Sequence, residues 1–260
     1  MTYEEFKRLA GNLTKLDLYH YKSQQMDRRI HSLMTAWGLK TYEEYYRVLN
    51  THPERYEVFV KKLTINVSEF FRNPERFREL RREIIPILRR KRPRLRIWSA
   101  GCSNGAEAYT QAIILHEDYP SESHYILGTD VDGYILERAK EAWFTPSEVK
   151  NLSEAQKKLY FACKDELYYL HGEIRKKVWF KKHNLLSDPF EGEYDLILCR
   201  NVVIYFTEAA KNELYRKFHR ALHPGGVLMV GGTEPILNCK KLGYENLLST
   251  FYMKPEAASY

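Results

Sequence analysis

The chain has 260 residues and a formal net charge of +7, and 44% of its residues are hydrophobic. With 20 Tyr, 12 Phe and 4 Trp, this composition argues against a disordered chain, because such chains lack the apolar side chains that build a core. No apolar run approaches the ~18 residues of a membrane span and the start does not resemble a signal peptide, so we expect a cytoplasmic protein without membrane insertion.

The charge is unevenly distributed along the chain. Residues 1–100 carry a net charge of +10, whereas residues 101–260 carry a net charge of −3. The basic part is typical of a protein with an acidic partner, and nucleic acid, anionic lipid and a Glu-rich protein surface all qualify. A solvated basic face without a partner is the alternative. The 4 Cys are tens of residues apart and lack zinc-site spacing, so we expect reduced thiols and no metal.

The first 72 residues are predicted to form a small helical domain and an interdomain segment. Apolar residues recur at helical spacing at Tyr21, Met26, Ile30, Leu33, Met34 and Trp37. Gly38 is placed to end that helix in a left-handed cap. Thr41 and Glu44 form the pattern of a capping box, which starts a new helix, and Pro53 suits the first turn of another.

Residues 73–260 are predicted to form a second, larger domain. Asn73 and Pro74 supply a cap and a first-turn proline for a linker helix that reaches about Arg90. From residue 95 onward, short apolar runs alternate with helical patterns. The predicted strands cover residues 95–100, 125–130, 178–183, 194–199 and 227–230. This alternation predicts an α/β fold with a mainly parallel sheet.

Functional residues are expected just after the strands, because ligands of open α/β sheets bind at the carboxyl ends of strands. The loop after the first strand carries Gly101 and Gly105, which allow a close backbone approach to a ligand. It lacks the dinucleotide fingerprint, since Ser103 replaces the second glycine, and it lacks the lysine of a phosphate loop. Asp130, after the second strand, is suited to accept hydrogen bonds from ribose hydroxyls; a helix N-cap is the alternative, which Asp132 fills as well.

Two further strand ends carry polar side chains. After the third strand, residues 183–185 place the polar side chains of His183 and Asn184 beside the apolar side chain of Leu185, a combination that suits an adenine ring. After the fourth strand, a cationic, an amide and a phenol group lie close together at Arg200, Asn201 and Tyr205. Four such loops, suited to an adenosine ligand without a pyrophosphate, predict S-adenosylmethionine as the cofactor.

The sequence resembles the bacterial chemotaxis protein-glutamate O-methyltransferases of the CheR type over nearly the whole chain. Two long signatures carry the resemblance, Asn-x-Ser-x-Phe-Phe-Arg at residues 66–72 and Cys-Arg-Asn-Val-x-Ile-Tyr-Phe at residues 199–206. Shorter matches lie at residues 98–109, 129–130, 184–185 and 231–234. The resemblance implies a Rossmann-like class I S-adenosylmethionine-dependent methyltransferase domain with an antiparallel last strand. It also implies a small all-α domain before it and a small β-subdomain at about residues 160–178.

The resemblance further implies roles for individual residues. The interdomain segment closes over the cofactor, Glu107 and Asp130 bind its amino-acid end or its ribose, and residues 184–185 and 200–201 line the adenosine site. The candidate cofactor-binding residues are Asn66, Ser68, Arg72, Gly101, Glu107, Asp130, Asn184, Leu185, Arg200 and Asn201. The chain departs mildly from the family pattern, since residues 105–109 read Gly-Ala-Glu-Ala-Tyr where the family has Gly-Glu-Glu-Pro-Tyr.

The implied reaction transfers a methyl group from S-adenosylmethionine to a glutamate side chain, which forms a methyl ester and leaves S-adenosylhomocysteine. A glutamate carboxyl group has a pKa near ~4.3 and is ionised at neutral pH, so no strong general base is needed. Arg72 and Tyr205 are the candidate catalytic residues, because a planar guanidinium suits a carboxylate and a phenol hydroxyl can steer the attacking oxygen. The alternatives are a surface cation at Arg72 and a core aromatic at Tyr205.

The implied partner is the Glu-rich helical cytoplasmic region of transmembrane chemoreceptors, so the enzyme is expected at membrane receptor arrays. Lys22, Arg28 and Arg29 form the candidate docking face, and we expect a monomer. A methyltransferase acting on RNA is the alternative enzyme, because residues 1–100 are basic. Residues 200–206 replace the Asn/Asp-Pro-Pro-Tyr/Phe motif of adenine-methylating enzymes, so we expect no nucleic-acid partner. A donor-binding module without turnover is the alternative from another class.

Overall fold

The protein is described by a computed structural model over residues 1–64 and 67–256, apart from the side chain of Gln25. Within this range, four helices form the amino-terminal domain: α1 (Tyr3–Thr14), α2 (Ser23–Ala36), α3 (Tyr42–Thr51) and α4 (Pro53–Thr64). Their apolar faces enclose an aromatic core in which the ring of Phe6 stacks on Tyr45 and meets Phe59 at a steep angle. This domain therefore has its own hydrophobic core, which explains the helical periodicity of the apolar residues in the sequence.

The predicted boundaries at Gly38, Thr41 and Pro53 are confirmed, whereas Tyr21, the first residue of the predicted helical pattern, lies before α2 in an isolated bridge to the larger domain. Gly38 follows α2 with a φ of +67°, in the left-handed region that favours glycine. The side chain of Thr41 accepts the N–H of Glu44, and the Glu44 carboxylate accepts the N–H of Thr41 in return, which completes a capping box. Pro53 is the first residue of α4.

The helix that links the two domains changes its winding half-way along. It runs as α5 (Pro74–Glu79), a π-helical turn (Leu80–Ile84) and α6 (Ile85–Lys91). Pro86 explains the wider turn, because proline lacks an N–H and its ring clashes with the carbonyl four residues earlier. The prediction of a side-chain cap at the start of this helix is wrong, since the Asn73 side chain makes no hydrogen bond to α5.

The larger domain, over residues 73–256, contains two sheets. Its strands within the described residues are β1 (Arg96–Ala100), β2 (Tyr125–Asp130), β3 (Trp143–Phe144), β4 (Phe161–Lys164), β5 (Leu167–Leu170), β6 (Val178–Lys182), β7 (Tyr194–Cys199), β8 (Leu222–Val230), β9 (Glu245–Leu248) and β10 (Phe251–Met253). The main sheet has the order β6-β2-β1-β7-β8-β10-β9. Its first five strands are parallel, and β10 is antiparallel to β8 and to β9. The predicted mainly parallel sheet with an antiparallel last strand is confirmed.

Helices cover both faces of the main sheet. The helices after the linker are α7 (Ala106–Asp118), α8 (Gly133–Glu141), α9 (Glu154–Tyr160), α10 (Gly172–Arg175) and α11 (Glu208–Ala221), of which α7, α8 and α11 contact strands of the main sheet. In β7, Leu196 and Leu198 pack with α7 and the linker helix, whereas Ile197 and Cys199 pack with α11. All residues of β7 are buried, which explains why a central parallel strand reads as a continuous apolar run. No helix among the described residues is long and apolar enough to cross a membrane.

The second sheet is antiparallel and has the order β3-β5-β4. Its strand β3, Trp143–Phe144, lies before the range 160–178 that is predicted for the β-subdomain. Val178, at the end of that range, is the first residue of β6 in the main sheet. A two-residue strand has too little periodicity to be recognised from sequence.

The amino-terminal domain is attached to the larger domain at the segment that follows β7. Tyr21 and Phe206 form an isolated antiparallel bridge, and their rings meet edge to face. The N–H of Lys22 donates to the carbonyl of Tyr205, and the N–H of Thr207 donates to the carbonyl of His20, both at 2.8 Å. These main-chain bonds hold the helical domain above the carboxyl ends of the strands.

Candidate active site

A cavity of about 290 Å³ lies between the two domains, at the carboxyl ends of the parallel strands. We call it the interdomain cavity. The loops after β1, β2, β6 and β7 form its wall together with the end of α4, Tyr21 before α2 and residues 67–72. The predicted site residues that line it are Ser68, Arg72, Gly101, Glu107, Asp130, Asn184, Leu185, Arg200, Asn201 and Tyr205. Asn66, also predicted, lies outside the described residues.

The loop after β1 is held against the end of β2. The N–H groups of Gly101 and Cys102 both donate to the carbonyl of Thr129, at 2.8 Å each. Gly101 has a φ of +82°, and a Cβ atom there would lie 2.5 Å from the side chain of Val202, so this position requires glycine. The loop therefore brings the ends of β1, β2 and β7 close together.

Asp130 ends β2 and is 8% exposed, at the wall of the cavity. Its carboxylate accepts the N–H of Ser103 at 2.8 Å and the N–H of Asp132 at 3.0 Å. Burial raises the pKa of Asp130 to about 6, against the opposing effect of these backbone hydrogen bonds. The helix cap belongs to Asp132, which accepts from the N–H groups of Tyr134 and Ile135. Because carboxylate oxygens accept more than one hydrogen bond each, Asp130 keeps acceptor capacity for a ligand.

Arg200 joins three segments of the cavity wall, and its side chain is 2% exposed. Its Nη1 lies 3.1 Å from Oε2 of Glu107 in a salt bridge, and Oε1 of Glu107 accepts from the Ser99 hydroxyl at 2.8 Å. Its Nη2 donates to the carbonyl of Arg72 at 2.8 Å and to Oδ1 of Asn73 at 2.9 Å. Two predicted cofactor-binding residues, Arg200 and Glu107, are thus bonded to each other, and the pair fixes the end of the interdomain segment.

The interdomain segment is anchored by two adjacent phenylalanines. The buried ring of Phe70 meets the rings of Phe144 and Phe161 edge to face, with centroids 4.8 Å and 5.3 Å away. Phe71 has a φ of +49°, which is uncommon for a bulky residue, and its N–H donates to the Thr110 hydroxyl at 3.1 Å. The strained backbone at Phe71 is held by packing on one side and a hydrogen bond on the other.

The two candidate catalytic residues reach the cavity from different segments. In the interdomain segment, Nη1 of Arg72 donates to the carbonyl of Val67 at 3.0 Å. Tyr205 lies in a 3₁₀ turn after β7. The guanidinium of Arg29, from α2, lies over the Tyr205 ring with its Cζ 4.9 Å from the ring centroid. A cation from the helical domain therefore helps to hold the phenol ring of the larger domain.

The candidate docking face is divided by this contact. Lys22 and Arg28 are exposed, whereas Arg29 is half-buried. In addition to the Tyr205 ring, Arg29 contacts the carbonyl of Leu63, to which it donates at 2.8 Å. The Arg29 side chain therefore bridges the two domains, whereas Lys22 touches the larger domain through its main-chain N–H and Arg28 is exposed.

A buried carboxylate organises the loop after β7. Glu234 is 4% exposed and accepts the N–H groups of Asn201 at 2.6 Å, Gly231 at 2.9 Å and Ile204 at 3.1 Å. Burial raises the pKa of Glu234, and these hydrogen bonds oppose that effect. Asn201 has a φ of +59°, so the chain turns sharply where the loop leaves the strand. The signature at residues 199–206 and the shorter match at residues 231–234 therefore belong to one structural unit.

The loop after β6 is stabilised from both domains. Oδ1 of Asn184 accepts the N–H of Leu186 at 3.0 Å, and its Nδ2 donates to the carbonyl of Lys15 at 2.9 Å. From α11, Nζ of Lys217 donates to the carbonyls of Leu185 and Leu186, at 3.3 Å and 3.1 Å. The side chain of Asn184 is thus engaged in shaping the loop, and Leu185 is presented to the cavity.

Several residues of the cavity wall are not among the predicted site residues. They include Tyr21, Leu63, Thr64, Val131, Ile204 and Phe206. Tyr21 belongs to an apolar helical pattern, which is equally typical of a core residue. Its place in the cavity depends on the docking of the two domains, and local sequence carries no signal for that docking.

The chemistry of the wall fits an adenosyl cofactor. Buried polar atoms of three lining residues, Oγ of Ser103, Nδ1 of His183 and Nε of Arg200, have no hydrogen-bond partner in the described part of the chain. Buried polar atoms in native proteins are normally paired, so these atoms indicate a polar ligand or water in the cavity. The Asp130 carboxylate suits ribose hydroxyls, and Leu185 supplies an apolar wall for a flat ring.

Two family models match the chain. The model described as "CheR methyltransferase, all-alpha domain" matches residues 1–64, and "CheR methyltransferase, SAM binding domain" matches residues 66–251. The chain belongs to the CheR methyltransferase family. As a member of this family it is a methyltransferase that uses S-adenosylmethionine, and the interdomain cavity lies within and beside its S-adenosylmethionine-binding domain.

Similar proteins match the chain over nearly its whole length. The chemotaxis protein methyltransferase of Listeria innocua is 39% identical over 253 residues, which are 97% of this chain and 97% of the relative. The chemotaxis protein methyltransferase of Listeria monocytogenes is 38% identical with the same coverage. That of Borreliella burgdorferi is 33% identical over 94% of this chain and 92% of the relative.

Proposed function

We propose that this chain transfers methyl groups from S-adenosylmethionine to glutamate side chains of chemoreceptors, which forms methyl esters and leaves S-adenosylhomocysteine. The observation that carries the proposal is the meeting of two distant signatures, since Arg72 and Tyr205 line the same cavity as Asp130. Relatives named chemotaxis protein methyltransferases support the role in chemotactic adaptation.

The wall of the interdomain cavity supplies groups for each part of the cofactor. Asp130 is proposed to accept hydrogen bonds from the ribose hydroxyls, because its carboxylate is buried and keeps free lone pairs. Leu185 and Asn184 would hold the adenine. Glu107, fixed by Arg200, would receive the cationic amino group, and Gly101 allows the backbone to approach closely.

Catalysis is proposed to rest on position rather than on a general base. The acceptor carboxylate is already ionised at neutral pH, and holding two reactants in line can contribute about 7–11 kcal/mol. The Arg72 guanidinium would orient the acceptor carboxylate through its planar fork, and the Tyr205 hydroxyl would donate a hydrogen bond to it. The support for these roles is that both side chains are held, Arg72 at the carbonyl of Val67 and Tyr205 beneath Arg29.

The acceptor is proposed to be a Glu-rich helical region on the cytoplasmic side of the receptor. Lys22 and Arg28 are exposed on or next to α2, and this basic face would attract an acidic helix bundle. We propose that the enzyme acts as a cytoplasmic monomer that is recruited to receptor arrays.

Comparison of two acceptors tests this proposal. The chain is incubated with radiolabelled S-adenosylmethionine and either a purified cytoplasmic receptor fragment or total RNA. The proposal predicts that the receptor fragment becomes labelled and that the RNA does not. Label in the RNA alone would contradict it and would favour the nucleic-acid methyltransferase that the basic first 100 residues also allow.

A further inference from the structure

A second cavity lies at the other end of β2. Its volume is about 330 Å³, within the range of roughly 300–1,000 Å³ typical of small-molecule sites. Ile126 lines the second cavity and Asp130 lines the interdomain cavity. The two residues are four steps apart along β2, about 13 Å at the rise of a strand. The wall of the second cavity comes from the end of α7, the loop before β2 and the start of β6.

Unpaired polar atoms are concentrated in this cavity as they are in the interdomain cavity. Nδ1 of His116, Oε2 of Glu122 and Nε2 of His124 are buried and have no hydrogen-bond partner within residues 1–64 and 67–256. Such atoms destabilise a fold unless a ligand or water pairs with them. The interdomain cavity, where the cofactor is proposed to bind, also contains buried polar atoms without a partner in the described residues. The second cavity therefore resembles a site for a polar ligand.

The protons in the wall can be assigned from its hydrogen bonds. Nδ1 of His124 accepts the N–H of Leu95 at 3.2 Å, and burial lowers the pKa of His124, so the neutral ring carries its proton on Nε2. Oε1 of Glu122 is bonded to the guanidinium of Arg89, which leaves Oε2 as an acceptor. Nε2 of His124 and Oε2 of Glu122 lie 3.6 Å apart, too far to satisfy each other. The wall thus presents a donor beside an acceptor.

A donor beside an acceptor matches the edge of a nucleobase. Adenine, for example, presents a ring nitrogen that accepts and an adjacent amino group that donates. Trp179 offers a stacking surface for such a ring, because one of its faces stacks on Tyr125 with centroids 5.2 Å apart while the side chain stays 48% exposed. An exposed indole at the rim of a polar cavity is therefore explained by a flat ligand.

The remaining groups of the wall suit a phosphate. Lys176 and Lys177 line the cavity, and neither has an ion pair with any described residue. Ser121 and Ser123 add hydroxyl groups. Because Arg89 neutralises Glu122, the two lysines leave the site with a positive charge.

We propose that the second cavity binds a nucleoside monophosphate, with the base against His124 and Glu122, stacked on Trp179, and the phosphate at Lys176 and Lys177. This site is separate from the methyl-transfer site and does not depend on the proposed acceptor. It would make the chain responsive to a nucleotide in addition to its cofactor.

Equilibrium dialysis with radiolabelled AMP tests this site. The full chain is first saturated with S-adenosylhomocysteine, so that the adenosine subsite of the interdomain cavity is blocked. We expect one saturable AMP site to remain, and we expect ribose 5-phosphate, which lacks the base, to compete at least tenfold more weakly. Trp179→Ala and the double variant Lys176→Ala with Lys177→Ala should each weaken AMP binding at least tenfold. These side chains lie at the surface, and unchanged S-adenosylhomocysteine affinity in each variant shows that it is folded.

The matched control is Lys240→Ala with Lys241→Ala, an adjacent pair of exposed lysines without an ion pair to any described residue, which should bind AMP like the parent chain. The site is refuted if no saturable AMP binding remains after the block, or if both cavity variants bind AMP as the parent does. Equal competition by ribose 5-phosphate would also overturn it, because the base would then contribute nothing. Methyl transfer does not enter this measurement, so its outcome is independent of the proposed acceptor.

Discussion

At Asp130, burial and hydrogen bonding act on one carboxyl group in opposite directions. Burial raises its pKa to about 6, and the N–H groups of Ser103 and Asp132 lower it. The ionised group accepts hydrogen bonds through both oxygens, whereas protonation turns one acceptor into a donor. The proposed ribose contact therefore depends on the ionised form of a group that titrates close to neutral pH.

We predict that affinity for S-adenosylhomocysteine falls as the pH is lowered through about 6, because Asp130 becomes protonated. Calorimetric titration on both sides of that pH measures it. The variant Asp130→Asn should bind weakly and without this pH dependence; an unchanged pH profile in the variant would assign the titration to another group.

The stability of the fold responds to pH in the opposite sense to the affinity. Because the folded pKa lies above the reference value of 3.8, ionisation of Asp130 costs stability above about pH 6, and the cost disappears below pH 3.8.

Arg72 is predicted to matter for turnover more than for folding. It is half-buried, and within residues 1–64 and 67–256 its side chain has one hydrogen bond, to the carbonyl of Val67. Arg72→Ala should lower the rate of receptor methylation about 100-fold, the cost of a misplaced reacting group. It should change the free energy of unfolding by only about 1 kcal/mol. Radiolabel incorporation and urea unfolding measure the two quantities.

The control for this variant is Arg78→Ala on the exposed face of the linker helix. Arg78 is exposed and has no ion pair or hydrogen bond with any residue that the structure describes. Its removal should leave both the methylation rate and the unfolding midpoint unchanged. A normal rate in Arg72→Ala would show that Arg72 is a surface cation, which is the alternative that the sequence leaves open.

Many residues that line the interdomain cavity could be predicted from sequence, but their side-chain partners could not. The residues after each strand were recognisable because strand ends of a parallel sheet meet at one edge. The partner of Arg200 is Glu107, 93 positions away, and Nδ2 of Asn184 bonds to Lys15 in the other domain. Such pairings depend on how distant segments pack, and residue type alone does not determine them.

Among the elements, the loop after β7 is the one whose shape matters most for the proposed catalysis. It carries Asn201 and Tyr205. The Glu234 carboxylate holds the loop by accepting the N–H groups of Asn201 and Ile204, and it also accepts the N–H of Gly231. Gly231 is required beside this carboxylate, because a Cβ atom there would overlap Glu234. Glu234 therefore acts on the cavity through the backbone.

We predict that Glu234→Ala destabilises the fold by about 3 kcal/mol or more, since several buried N–H groups lose their acceptor at about 1–3 kcal/mol each. Glu234→Gln should cost less, because its amide oxygen still accepts. Urea unfolding measures both. The control is Glu245→Ala, at an exposed position of β9. Equal stability of Glu234→Ala and the parent chain would mean that this carboxylate does not support the loop.

Element boundaries were predictable where a local rule fixes them. Thr41 and Gly38 obey capping rules, and the strands of the main sheet read as apolar runs. The π-helical turn before Pro86 and the two-residue strand β3 are not visible in a periodicity pattern. Asn73 was expected as a cap, but its side chain is engaged by Arg200, because tertiary contact competes with the local rule.

For the whole molecule, the distribution of charge is clearer in the structure than in the sequence. The basic run from Arg76 to Arg96 holds six residues with acidic partners, in the pairs Arg76–Glu79, Arg81–Asp118, Arg89–Glu122, Lys91–Glu256, Arg92–Asp195 and Arg96–Glu193. Much of the linker-helix charge is therefore neutralised within the chain. The exposed cations around α2 remain the better candidates for an acidic partner.

We predict that Lys22→Glu combined with Arg28→Glu raises the KM for a receptor fragment about tenfold or more at low salt, with little change in kcat. The reason is that both side chains are exposed and would face an acidic helix. Arg29 is left unchanged, because its contact with Tyr205 would confuse docking with catalysis. The matched control is Lys240→Glu with Lys241→Glu. An unaltered KM and salt dependence would place the docking face elsewhere.

The most direct test of the proposed reaction is the chemical nature of the bond that it forms. A receptor fragment is labelled with radioactive S-adenosylmethionine and the purified chain, and the labelled fragment is then treated with mild base. A glutamate methyl ester releases its label as volatile methanol, and this is the predicted result. Label that stays on the fragment after base treatment, or a fragment that takes up no label, would contradict methyl transfer to receptor glutamates.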